Sequence, residues 1–318
     1  MAEPFDRLDE FIDAVLSRPD AALPAGDPEL APLARLATDL RDLPRASFKE
    51  RLREDLKRRA SMSTATVSPI REGFRTVTPY LVVRQGAELI DFLKQAFGAV
   101  ETARFPTGGG GLHAEVQIGD SMLMVGGGPV DRNPQLAALQ HYVENPDEVY
   151  ERALRFGATS LQAPIEDHGE RFACVEDPFG NRWYIGRSLG PSYRPEGLND
   201  VNLFLHPVGA AKFIEFLERA FGAVTVERHE PPGGIVYHAK LQVGDSVIEM
   251  SEAHSWWQPL PTMVMMYVPD ADAVYQQALR AGATSLHEPV DLPYGRSAAV
   301  TDPAGNIWYS CTPPSGSA

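Results

Sequence analysis

The residues best equipped for chemistry stand in one short stretch. His238 and Glu249 lie near the two ends of HAKLQVGDSVIEM (238–250), on either side of Gly244-Asp245, a pair suited to a hairpin turn. An imidazole and a carboxyl group that both face a pocket can move a proton, so the two are candidate catalytic groups. His113 opens a similar stretch, HAEVQIGDSMLMV (113–125), at the place His238 holds in its own. A histidine there serves as general base, as donor to a bound carbonyl, or only as a cap on the hairpin. Arg171 and Arg296 precede two related Asp-Pro-x-Gly-Asn turns. Either could clamp a ligand carboxylate or close an ion pair across a pocket mouth. Asp177-Pro178 and Asp302-Pro303 are read as turn chemistry alone. Cys174 and Cys311 are expected to be buried, inert thiols, and two cysteines build no disulfide framework. The run Gly108-Gly109-Gly110-Gly111 lacks a following Gly-Lys-Ser/Thr, so it is a hairpin tip rather than a phosphate loop.

The elements that must position these groups are written twice. LIDFLKQAFGAV (89–100) matches FIEFLERAFGAV (213–224), and YERALRFGATSL (150–161) matches YQQALRAGATSL (275–286). EDPFGNRWYI (176–185) matches TDPAGNIWYS (301–310). The offset is 124 residues early in the repeat and 125 later, which marks a duplicated domain with one inserted residue. Each copy divides again into strand, helix and three strands: strand 77–83 and helix 86–96, then strand 138–143 and helix 146–156. A βαβββ unit therefore recurs four times. The expected segments are a helical stretch over 1–62, a linker over 63–74, a first domain over 75–187, a second linker over 188–198 and a second domain over 199–312.

In this order the phrases IDFLKQAFGA, HAEVQIGDSMLM, RFGA and DPFGNRWY resemble the vicinal-oxygen-chelate superfamily, which includes glyoxalase I, bleomycin-resistance proteins and extradiol dioxygenases. The resemblance implies an α+β fold in which tandem βαβββ modules form two cup-like, eight-stranded mixed sheets, with helices on the convex side. It also implies four ligand positions per cup in the metal-dependent members, on the first and last strands of paired modules, filled by His, Glu or Gln. Matched by motif, the first domain offers Thr78, Met124, Ala138 and Tyr184, and the second Asn202, Glu249, Met263 and Tyr309. Neither set supplies three good donors. No cofactor is therefore expected, and a divalent metal, although possible for the family, is not favoured. Fold membership alone does not choose between enzyme and binder.

Strand alternation assigns the inward residues. The first copy contributes Tyr80, His113, Glu115, Gln117, Met122, Met124, Gln140, Tyr142, Arg182 and Tyr184. The second contributes Phe204, His206, His238, Lys240, Gln242, Glu249, Met265, Tyr267, Tyr309 and Cys311. Aromatic and methionine side chains with a few polar groups suit a small-molecule pocket. The ligand-binding candidates are Tyr80, His113, Gln140, Tyr142, Arg182, Tyr184, Phe204, His206, Tyr267 and Tyr309; the catalytic candidates are Glu249 and His238. Trp256 and Trp257 either wall the second cup or pack between domains. Periodicity leaves open whether modules pair within a copy or exchange between copies.

A net charge of −14 repels phosphate backbones, so nucleic-acid partners are not expected. No apolar run is long enough for a membrane span, no signal peptide is legible, and a cytoplasmic location is expected. The duplication suggests an internal pseudo-dimer. The helical stretch carries Phe48, Leu52 and Leu56 on one stripe, among Lys49, Arg51, Arg53, Lys57, Arg58 and Arg59. Three function classes follow. The first is a metal-free protein binding an apolar or aromatic ligand. The second is a lyase, isomerase or dioxygenase of the same superfamily using Glu249 and His238. The third is a ligand-sensing adaptor with a protein partner at residues 1–62.

Overall fold

A computed structural model describes residues 70–128, 134–255 and 257–314. The helical stretch at 1–62, the adaptor role assigned to it, most of the 63–74 linker and Trp256 lie outside the described residues.

Four βαβββ modules follow one another. The first comprises β1 (Val77–Val82), α1 (Gly86–Phe97), β2 (Val100–Thr107), β3 (Gly111–Ile118) and β4 (Ser121–Gly127). The second comprises β5 (Ala138–Tyr142), α2 (Pro146–Arg155), β6 (Thr159–Asp167), β7 (Glu170–Glu176) and β8 (Arg182–Ser188). The third runs through β9 (Val201–Leu205), α3 (Ala210–Phe221), β10 (Val224–His229), β11 (His238–Val243) and β12 (Ser246–Met250). The fourth runs through β13 (Met263–Tyr267), α4 (Ala271–Ala281), β14 (Thr284–Leu292), β15 (Gly295–Thr301) and β16 (Ile307–Thr312).

Local chemistry sets the element ends. Asn145 accepts from the Glu148 amide to cap α2, with Pro146 at the first helical position, and Asp270 accepts from the Ala273 amide to cap α4. The repeated Phe-Gly-Ala phrases end α1 and α3 at Gly98 and Gly222, whose φ values of 69° and 66° suit a residue without a side chain.

The sixteen strands form two open eight-stranded mixed sheets. Sheet one has the order β14-β15-β16-β13-β1-β4-β3-β2, and sheet two β10-β11-β12-β9-β5-β8-β7-β6. Modules thus pair across the two copies, first with fourth and second with third. The central joins are antiparallel: Thr78 faces Met265 between β1 and β13, and Gln140 faces Asn202 between β5 and β9. The copy-by-copy lists of cup residues are corrected accordingly, since each cup takes half its lining from each copy.

The repeated Gly-Asp-Ser turns hold this exchange together. Ser121 Oγ accepts from the Val201 amide at 2.9 Å, and Asp120 Oδ1 accepts from the Asp200 amide at 2.8 Å. In the other half, Ser246 Oγ accepts from the Val77 amide at 2.9 Å and Asp245 Oδ1 from the Thr76 amide at 2.7 Å. Each turn therefore anchors the start of the other copy's first strand.

The helices cover the convex faces, where most of the core lies. Phe97 packs on Trp183 with ring centroids 4.5 Å apart, and Phe221 repeats the contact on Trp308 at 4.6 Å. Both indoles are fully buried, and their Nε1 atoms donate to the carboxyl groups of Asp177 and Asp302. Those aspartates also accept from backbone amides of their own turns, so the turn reading is completed by a tie to the core. Among the described residues, no helix is long and apolar enough to cross a membrane.

Candidate functional site

Sheet two curves around a group of acids. Glu249 on β12 is 2% exposed. Its Oε2 lies 3.2 Å from His238 Nε2 on β11 and 3.4 Å from the Tyr142 hydroxyl on β5, whereas its Oε1 has no hydrogen-bond partner among the described residues. Glu170, at the start of β7, places Oε1 3.3 Å from the same hydroxyl. Tyr142 has one proton to donate, so it can serve only one of the two carboxyl groups at a time. Burial first, and then the negative charge of Glu249, pushes the Glu170 carboxyl above its ordinary range. The Tyr142 hydroxyl is raised too, by burial and then by both acids.

Gln140, one step along the same face of β5, is 5% exposed, and its Nε2 also lacks a partner among the described residues. It lies over Gly186, where a Cβ would stand 2.7 Å from that nitrogen, so the glycine makes room for the amide. Beside this polar group stands an aromatic wall. Tyr184 stacks on Trp257 with centroids 4.8 Å apart, and Phe204 meets Tyr184 edge-on at 5.0 Å. The Phe204 ring is also 6.0 Å from His238, which joins wall and acids into one site. His206 bonds through Nε2 to the Tyr184 hydroxyl and through Nδ1 to Ser251 Oγ. Burial, and then the positive charge of Arg182, lowers this imidazole to about 3, so it is a neutral part of the wall. Arg182 donates to the Gln258 carbonyl at 3.1 Å and tethers the segment that carries Trp257.

Cup one, on sheet one, is built from the same positions with a different outcome. The segment just before β1 enters it. Arg71 donates to both carboxylate oxygens of Glu115, at 2.6 and 3.2 Å, and to the Tyr267 hydroxyl at 3.4 Å. Its guanidinium lies 4.6 Å from the Phe74 ring centroid, and Phe74 meets Tyr267 edge-on at 5.6 Å. Phe74 packs with Met124, Met265, Tyr267 and Cys311, while Tyr80, Met122 and Tyr309 border the same cluster. The Tyr80 hydroxyl is 2.9 Å from His113 Nδ1. Burial raises that hydroxyl to about 12 and lowers His113.

The sequence-derived candidates therefore divide. Gln140, Tyr142, Arg182, Tyr184, Phe204, His206, His238 and Glu249 meet in cup two; Tyr80, His113, Tyr267 and Tyr309 meet in cup one. Gln117 and Gln242 are corrected: both are exposed and donate back to the Gly119 and Gly244 carbonyls. Lys240 is drawn toward the edge strand by Glu227, 2.8 Å away. Arg171 and Arg296 bond Asp147 and Asp272 in the first turns of α2 and α4, so neither pairs across a cup mouth. Glu170 and the Arg71–Phe74 segment were missed. Glu170 lies on the inward parity of β7 with Cys174, a signal that strand alternation could have used. The Arg71 contact is local to no element and left no such signal.

The exchange also reassigns the four positions that the family resemblance gives to metal ligands. Cup one holds Thr78, Met124, Met263 and Tyr309, and cup two holds Ala138, Tyr184, Asn202 and Glu249. The Asn202 side chain is already bonded to the backbone of Asn199. Among the described residues, no three His, Cys, Asp or Glu side chains converge so that they could hold a metal ion. These donor sets do not fit the divalent ion of the metal-dependent relatives.

Comparison with known proteins agrees with this architecture. The family profile of the Glyoxalase/Bleomycin resistance protein/Dioxygenase superfamily matches residues 74–185 and 208–309. An uncharacterized protein of Mycobacterium bovis is 35% identical over 127 residues, covering 36% of this chain and 83% of that one. An uncharacterized Mycobacterium tuberculosis protein matches at the same identity over 74% of its length. Among solved structures, glyoxalase I from Zea mays superposes with a TM-score of 0.56 at 17% identity, covering 74% of this chain and 92% of that one. A putative dioxygenase from Bacillus subtilis gives 0.52 at 16% identity, covering 78% and 87%. At such identities the two structures speak to the fold alone.

Proposed function

Because the chain belongs to the Glyoxalase/Bleomycin resistance protein/Dioxygenase superfamily, whose cups serve metal enzymes and metal-free binders alike, we propose that it is a small-molecule binding protein whose site is cup two. One observation carries this reading: Gln140 Nε2 and Glu249 Oε1 are buried on one concave face without partners among the described residues. A buried polar group left unbonded costs about 1–3 kcal/mol. A molecule that offers an acceptor to one and a donor to the other recovers that energy. The neighbouring Tyr184, Phe204 and Trp257 rings supply apolar area for its body. The donor sets of both cups favour binding without the family's metal.

The test is calorimetric titration of the full chain with a panel of small aromatic compounds, alongside Gln140→Leu and Glu249→Gln variants. Binding that weakens in both variants supports the site. Binding indifferent to both removes cup two from consideration. Elemental analysis after incubation with Zn, Ni, Mn and Fe(II) should leave the protein well below one metal per chain; near-stoichiometric metal would overturn the metal-free reading.

A second reading, proton transfer as in a lyase or isomerase, draws on the 3.2 Å contact between His238 Nε2 and Glu249 Oε2 and on the raised carboxyl of Glu170. Ligand turnover that disappears in His238→Ala, with binding retained, would make this the leading reading.

A further inference from the structure

We infer that cup two receives a small molecule carrying a cationic nitrogen, as guanidinium, amidinium or ammonium, on an aromatic body. This rests on the binding reading above and names the ligand class for that site.

The template is inside the chain. Tyr142 in cup two and Tyr267 in cup one are the same residue of the repeat, at the 125-residue offset. In cup one the Tyr267 hydroxyl and the buried carboxyl of Glu115 receive the guanidinium of Arg71, and Phe74, three residues on, lies against the Tyr267 ring. A cation followed by an aromatic ring is thus what fills this architecture. In cup two the Tyr142 hydroxyl stands between two carboxyl groups, and among the described residues no arginine or lysine is bonded to either. Glu249 is nearly fully buried; among the described residues one of its oxygens has no partner, and its only basic neighbour within ion-pair distance is His238. Lys240, on the same strand as His238, is held by Glu227 instead. A cationic nitrogen seated at Glu249 Oε1 would complete that carboxyl, offset the repulsion between Glu170 and Glu249, and release Tyr142 from serving two acceptors. Charge-assisted bonds of this kind are about twice as strong as neutral ones. The Phe204, Tyr184 and Trp257 rings lie beside the acids, where the aromatic body would pack, as Phe74 packs edge-on against Tyr267 in cup one.

The experiment is calorimetric titration of the full-length chain with four matched probes: phenethylammonium, benzylguanidinium, 3-phenylpropionamide and 3-phenylpropionate. The cations should bind at least about tenfold more tightly than the amide, and the carboxylate most weakly. Glu249→Gln should erase the preference for the cations, Glu170→Gln should reduce it, and Glu101→Gln on the outer strand of cup one should leave it intact. Cooperative thermal unfolding of each variant confirms that it is folded. Should Glu249→Gln not fold, Glu170→Gln carries the test alone. The inference falls if the amide binds as tightly as the cations, or if neither Glu249→Gln nor Glu170→Gln changes their affinity. Binding of the amide or carboxylate alone would leave the binding reading standing without the charge class. Failure of all four probes would remove both.

Discussion

Cups one and two are built from the same modules, and they differ in what their acids meet. In cup one the buried acid, Glu115, is bonded by Arg71 from the chain's own segment before β1. In cup two the buried acid, Glu249, shares a hydroxyl with a second acid and keeps an oxygen without a partner among the described residues. The position of Glu249 corresponds to Met124 in cup one, and that of Glu115 to Lys240 in cup two, so duplication was followed by a change of charge on adjacent strands. The lesson is that one scaffold can hold a closed cup stabilised from within beside a cup whose polar groups are arranged for something else.

The comparison can be broken most forcefully at Arg71. Arg71→Ala would leave the Glu115 carboxyl buried and unpaired. Because the arginine is itself 40% exposed, the expected loss is about 2 kcal/mol, below the range for fully buried pairs. Urea unfolding measures it, and an unchanged midpoint would mean that the segment contributes nothing to closing cup one.

A substitution of the opposite kind makes cup two resemble cup one. Glu249→Met installs the residue that cup one carries at the same place, removing a buried carboxyl with one oxygen that has no partner among the described residues. Stability is expected to rise by about 1 kcal/mol while ligand binding is lost, the trade expected where a site is arranged for function rather than for folding. A fall in stability would show that the Glu249–His238–Tyr142 contacts hold the fold together.

A pH comparison sharpens the difference further, because cup one has Gly295 where cup two has Glu170. Glu170 faces Tyr142 on β5, His238 and Lys240 on β11 and Glu249 on β12, and its carboxyl is raised in the folded state. The folded protein then holds this proton more tightly than the unfolded chain does. The stability it contributes is full below the ordinary glutamate range and is lost as pH rises through the raised value. Glu170→Gln should flatten that part of the stability profile; an identical profile in the variant would exclude Glu170 as its source.

The smallest effect concerns the thiols, one in each cup. Burial raises Cys174 to about 12 and Cys311 to about 11. Neither should react with iodoacetamide in the folded protein near neutral pH, and Cys311 should be the first to react as alkalinity increases. Rapid labelling of Cys174 would show that cup two opens readily.

Much of this was legible in the residues themselves. The 124- to 125-residue repeat, the helix and strand phrases it repeats and the Gly-Asp turns identify four βαβββ modules, because such patterns are written within short stretches of chain. Strand alternation likewise found the inward faces, and with them His238, Glu249, Tyr142 and Gln140, since the period of two is a local property of extended chain. It could not say which inward faces meet. The strands of the two copies are so alike that pairing within a copy and pairing across copies satisfy the same pattern. The choice was made by packing: β1 against β13 and β5 against β9, with Ser121 and Ser246 anchoring the other copy's first strands. That tertiary decision brought Glu249 and His238 to Tyr142 and Glu170, and Tyr267 to the Arg71–Glu115 pair. Residue types and spacing set the elements because their causes are local; the candidate site was decided by contacts between the copies, such as that of Tyr142 with Glu249 across 107 residues, which only the folded chain can make.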